Sequence, residues 1–131
     1  MLTKLNLKHF VFAICTCVFF SFTSCKEEAT IVEAQKLTVS EGFENPLGFY
    51  DKTPSFSWKL PVSEGVLSQS AYQIVVASSP ELLPDNADLW NSKKQKSAQS
   101  TWVKYTGAAL QSRQKVYWQV KYWNQDNEAS K

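Results

Sequence analysis

The stretch Pro54-Ser55-Phe56-Ser57-Trp58-Lys59-Leu60 decides the fold class. Phe56, Trp58 and Leu60 alternate strictly with Ser55, Ser57 and Lys59, the period-two pattern of a strand with one face on a core and one in water. The same phase recurs at 71–77 (AYQIVVA), with Tyr72, Ile74 and Val76 inward, and at 116–123 (VYWQVKYW), with Val116, Trp118, Val120 and Tyr122 inward. Weaker strands are expected at 37–41, 90–96 and 101–105. The segment 80–88 is expected to hold one helical turn, opened by Ser79 and broken at Pro84. Short strands between turn residues, with no long helical stripe, predict an all-β chain: an antiparallel β-sandwich of fibronectin type III or immunoglobulin-like form.

Residues 37–131 are enough for one core and too few for two. Trp58 and Trp118 are expected to fill the space between the sheets, since side chains of that size bury about 150–250 Å² each. A sandwich of this kind uses about seven strands. Six are legible, and the long strand at 116–123 would be left with an uncovered edge. A last strand pairing with that edge, and further chain after it, are therefore expected beyond Lys131.

The N-terminus reads as an export signal. Lys4 and Lys8 lie in a stretch without acids, residues 10–22 (FVFAICTCVFFSF) are almost wholly apolar, and Thr23 and Ser24 supply small residues before Cys25. Thirteen residues of helix reach only about 20 Å, short of the ~30 Å hydrocarbon layer, which argues against a permanent span. Phe22-Thr23-Ser24-Cys25 resembles a relaxed bacterial lipobox of the Bacteroidetes kind, which implies cleavage before Cys25 and lipidation of its thiol. Several acyl chains at about 0.8 kcal/mol per methylene hold such a cysteine to a membrane. Residues 1–24 are thus read as a lipoprotein signal peptide and 25–36 as the lipidated cysteine and a charged tether. Residues 37–131 form the domain. The expected location is the outer membrane, facing the periplasm or the cell surface.

Processing changes the chemistry that remains. Cys15, Cys17 and the sole histidine, His9, leave with the signal, so Cys25 is the only thiol left and no intramolecular disulfide can form. Lys4 and Lys8 leave as well, and twelve bases then face twelve acids. A balanced chain lacks the clustered basic face that nucleic acid requires. Without histidine, histidine-based triads and most zinc sites are excluded from this segment. Glycoside cleavage needs two carboxyl groups about 5–9.5 Å apart, and no acid here sits in a recognisable cleft pattern. Asp85-Asn86-Ala87-Asp88 lacks the glycine and closing glutamate of a calcium loop. Catalytic residues, metal ligands and cofactors are all read as none.

Three blocks carry a family resemblance. Phe43-Glu44-Asn45-Pro46-Leu47-Gly48-Phe49, with PSFSWKL at 54–60, resembles the "NPLGID…P…SW.L" opening of bacterial α-L-rhamnosidases. QSAYQIVVASSPELL at 69–83, with Asp88-Leu89-Trp90-Asn91-Ser92, resembles their "AYQI.VASS…LWDS" stretch. Tyr105-Thr106-Gly107, Leu110, Ser112-Arg113 and 116–124 resemble "Y.G..L.SR..YYW.V..WD", with Asn91 and Asn124 standing where aspartates are usual. The resemblance implies an N-terminal fibronectin type III-like module, with an inverting hydrolase site far downstream whose carboxylates have no counterparts here. It also implies a downstream catalytic domain as partner, and a rhamnose-containing glycan as the parent enzyme's substrate.

Aromatic residues off the inward phase are the remaining candidates. Tyr117 and Trp123 share the outer face of the last strand, and Trp102 is likewise unassigned to the core. All three are read as contacts either to a neighbouring domain or to sugar. The alternative to an enzyme module is a free-standing glycan-binding or adhesion lipoprotein on the same sandwich.

Overall fold

The structure, a computed structural model, describes residues 31–48 and 50–131; the export signal, Cys25 and the residues up to Thr30 lie outside them. Six strands follow in order: β1 (Gln35–Val39), β2 (Ser55–Lys59), β3 (Gln69–Ala77), β4 (Trp90–Asn91), β5 (Val103–Lys104) and β6 (Tyr117–Asn124). One sheet has the order β1-β2-β5 and the other β4-β3-β6, with every pairing antiparallel. The helical turn is a 3-10 turn at Pro80–Leu82 that ends at Leu83, whose N–H donates to the Pro80 carbonyl 3.1 Å away. Ser79 occupies the cap position, but its hydroxyl bonds the Glu81 carboxylate instead of the turn's backbone.

The alternating pattern maps onto the core. Phe56, Trp58, Tyr72, Ile74, Val76 and Val120 are buried together with Val103, Tyr105 and Leu110. Trp118 reaches the core, its ring 4.5 Å from Phe56, yet it stays partly exposed. The reason is its place on an edge strand beside an open groove. Leu60 departs from its expected neighbours and packs on a second cluster of Ile31, Val66 and Tyr122. β3 is the central strand of its sheet and buries residues of both phases, Ala71, Val75 and Ala77 as well as the inward set.

The second cluster moves the boundary of the domain. The tether expected to run to residue 36 is already structured from Ile31, which is buried against Val66 and Tyr122. The Tyr122 hydroxyl donates to the Val32 carbonyl at 2.7 Å, and β1 begins at Gln35. Ile31 and Val32 are isolated apolar residues in a charged stretch, so local pattern does not reveal partners that come from 35 and 91 residues downstream.

The last residues turn back along β6. Asn124 N–H donates to the Glu128 carbonyl, and Ser130 N–H donates to the Tyr122 carbonyl at 2.8 Å. Tyr122 N–H in turn donates to Ser130 Oγ, and Trp123 bridges Ala129. Ala129 and Ser130 thus lie against the edge of β6 that faces away from β3, as isolated bridges outside the six strands. Tyr72 exchanges backbone bonds with Gln95, and the Val76 carbonyl accepts from Leu89, so these β3 residues turn their backbone groups toward the β4 side. By the antiparallel alternation, Trp118 and Val120, which stand opposite Val76 and Ile74, turn theirs to the outer edge of β6.

Candidate functional site

The outer face of the β3–β6 pair is built by register. Tyr117, Gln119, Lys121 and Trp123 alternate outward along β6, opposite Ala77, Val75, Gln73 and Ala71 of β3. The aromatic residues thus stand opposite alanines, which leaves their rings room to lie along the sheet. Tyr117 and Trp123 are six residues apart, about 20 Å at ~3.4 Å per residue, so no single sugar ring touches both. Each carries a cation. Lys94 Nζ lies 4.1 Å from the Trp123 ring centroid while donating to Asn127 Oδ1, and Lys115 Nζ lies 5.2 Å from the Tyr117 centroid.

Trp102 is not brought to this face. It precedes β5 in the other sheet, is 56% exposed, and holds a left-handed backbone with φ of 54°. Its N–H donates to Ser57 Oγ at 3.0 Å, which ties it to the outer side of β2. Trp90 belongs to the core margin, 5.2 Å from the Tyr105 ring. Cys25 lies outside the described residues.

Described acids with assigned bonds serve the fold. Asp51 accepts from Ser40 Oγ and Thr53 N–H. Asp88 accepts from both Oγ and N–H of Ser78, and those bonds hold its carboxyl below the usual range. Glu128 accepts from the Asn124 amide. Among the described residues no group of three or more His, Cys, Asp or Glu is placed to hold a metal. Burial alone pushes the Tyr72, Tyr105 and Tyr122 hydroxyls above the ordinary phenol value, which keeps them neutral.

Two polar residues matter more than sequence reading suggests. Gln69 is buried; it accepts from Trp58 Nε1 at 2.9 Å and donates to the carbonyls of Ser97 and Gln99. It joins the start of β3 to the core tryptophan of the opposite sheet and to the strand connection 92–102. A register shift between Gln69 and Ala71 turns it inward, against the phase of the strand that follows. Asn124 is fully buried and continues the inward phase of β6. Its amide donates to Gly65 O and Glu128, and its oxygen accepts the N–H groups of Asp126 and Glu128. The even spacing from Val116 signals its burial; the turn it organises is not legible locally.

Two antiparallel sheets closed over an aromatic core define an immunoglobulin-like sandwich. The chain belongs to the family of Rha78A-like N-terminal immunoglobulin domains, whose model matches residues 34–131. It is similar to an α-L-rhamnosidase of Formosa agariphila, 62% identical over 130 residues, and to one of Alteromonas sp., 44% identical over 128 residues. Those matches cover 99% and 95% of this chain but 14% of each relative, so the chain spans about a seventh of their length. Its fold is similar to part of the α-L-rhamnosidase of Dictyoglumus thermophilum. That match has a TM-score of 0.70 and 36% identity, covering 78% of this chain and 11% of the other. The Streptomyces avermitilis α-L-rhamnosidase, solved with L-rhamnose, matches with a TM-score of 0.70 and 34% identity over 76% of this chain and 9% of that one.

Proposed function

We propose that this chain is the N-terminal module of an α-L-rhamnosidase, spacing and buttressing a hydrolase domain that follows it in the same polypeptide. The observations that carry this are the match to an N-terminal immunoglobulin domain family and the 62% identity over 99% of the chain to a seventh of a much longer α-L-rhamnosidase. The parent enzyme releases terminal α-L-rhamnose from a glycan, and this module supplies none of the reacting groups. Lipidation of Cys25 holds the protein at the outer membrane, with the module between anchor and enzyme. Support for the anchor comes from the apolar run 10–22, the small residues before Cys25 and the absence of any competing thiol in the processed chain.

The enzyme reading is tested by expressing the complete reading frame and measuring rhamnose release from an aryl α-L-rhamnoside. Lipidation is tested by labelling cells with a radioactive or clickable fatty acid: Cys25→Ser should abolish incorporation, and unchanged incorporation rules the anchor out. The free-standing glycan-binding reading draws only on the outward Tyr117 and Trp123. Lys94 over the indole would have to move for a sugar to stack on that side. Titration with rhamnose-containing oligosaccharides decides it: millimolar or tighter binding that Trp123→Ala removes would favour the binding module.

A further inference from the structure

The two ends of the sandwich differ in where the chain goes. At one end Ile31 enters beside the 61–68 loop, since Ile31 packs on Val66 and the Asn124 amide at the end of β6 donates to Gly65 O. At the other end β1 finishes at Val39, opposite Phe56. There residues 45–48 and 110–118 border an open groove of about 1140 Å³. Ser130 stands opposite Tyr122 and runs antiparallel to β6. Continued in that register, the positions two, four and six residues beyond Ser130 fall opposite Val120, Trp118 and Val116. Six residues cover about 20 Å at ~3.4 Å each, which carries the chain from the Ile31 end to the groove end.

The groove end is also where apolar side chains are displayed. Leu47 is 96% exposed, held out by a turn in which Gly48 takes φ of +76°. Tyr50 is 47% exposed and is anchored by its hydroxyl, which donates to the Leu110 carbonyl at 3.3 Å. Both border the same groove as Arg113, Lys115, Val116 and the half-buried Trp118. A single exposed leucine needs no explanation, but an apolar group at the end toward which a strand continued along β6 would run does.

We propose that this end of the sandwich is the docking surface for the part of the same polypeptide that follows the last strand, with Leu47 and Tyr50 as its apolar anchors. The proposal rests on the chain being the leading module of a longer protein. It also separates the interdomain contact from Trp123, which lies along the side of the module at the far end of β6, whereas Tyr117 stands at the margin of the groove. Val62 and Leu67, 105% and 87% exposed, provide an equally apolar pair at the Ile31 end. A strand continued from Ser130 in the same register would run away from them.

Hydroxyl-radical footprinting of the full-length polypeptide, read by mass spectrometry, tests this within one sample. Rates are corrected for the intrinsic reactivity of each side chain. Leu47 and Tyr50 should be modified at least about fivefold more slowly than their exposure in this domain alone would give, as residues in a desolvated interface core are. Val62 and Leu67 should keep the rates of exposed side chains. Leu47 and Tyr50 labelled like Val62 and Leu67 would overturn the docking surface, and so would equal protection of all four. Intact mass of the same sample separates the two failures. A mass showing no further domain overturns the module reading together with the dock, whereas a long chain with an unprotected Leu47 overturns the dock alone.

Discussion

Gln69→Leu removes a buried clip while keeping the side chain's volume close to the original. In the native domain the Gln69 amide satisfies three groups: Trp58 Nε1 at 2.9 Å, the Ser97 carbonyl at 3.0 Å and the Gln99 carbonyl at 2.8 Å. The two carbonyls belong to an exposed or half-exposed connection, so water replaces their donor at small cost. Trp58 is 1% exposed, and its indole N–H has no such substitute. An orphaned buried donor costs about 1–3 kcal/mol, and each lost bond about 0.5–1.5 kcal/mol net. A total near 2–4 kcal/mol follows. For a domain of this size about 4–8 °C of Tm accompanies each kcal/mol, so the melting transition should fall by roughly 10–25 °C. Thermal unfolding followed by tryptophan fluorescence reads this, and a double-mutant cycle with Trp58→Phe isolates the pair. The phenyl ring has no N–H to orphan, so Gln69→Leu should cost about 1–2 kcal/mol less in that background. A single-mutant effect below about 0.5 kcal/mol, or strict additivity in the cycle, would refute the clip.

Three further outcomes are expected. Gly107→Ala would set a Cβ 2.5 Å from the Tyr105 hydroxyl and 2.9 Å from the Leu89 carbonyl; overpacking at a buried tyrosine should cost about 1–3 kcal/mol, measured by urea denaturation. Asn124→Asp keeps the acceptor for Asp126 and Glu128 N–H but loses both donated bonds and faces the Glu128 carboxylate. It should cost about 1–3 kcal/mol near neutral pH and recover in acid, where the new carboxyl protonates and donates again; a pH-independent loss would contradict this. The Asp88 carboxyl is held low mainly by the Ser78 hydroxyl and then by Ser78 N–H. Its contribution to stability should be complete above the unfolded value of about 3.9 and drain away as pH falls through the lower folded value. The stability gap between wild type and Asp88→Asn, followed across an acid titration, should therefore narrow only below about pH 4.

Much of the fold is legible because three strands follow a period of two. Phe56, Trp58, Tyr72, Ile74, Val76 and Val120 are placed by alternation alone, and the structure buries each of them. The weaker strands shrink for a physical reason. β4 and β5 are two residues each because they pair at the sheet margins, and residues 92–102 follow a connection tied by side chains such as Ser92 and Gln69. The entry at Ile31 and the Gln69 clip escape the pattern because one depends on remote partners and the other on a register shift. Of the aromatic candidates, Tyr117 and Trp123 share a face as the phase implies. Trp102 stands on the other sheet, where its positive φ and its bond to Ser57 place it.

The central claim, that this module leads an α-L-rhamnosidase, is tested most directly by comparing two purified proteins on one aryl α-L-rhamnoside. The product of the complete reading frame should release rhamnose, and residues 26–131 alone should release none. An inactive full-length product, or turnover by the isolated module, would contradict it.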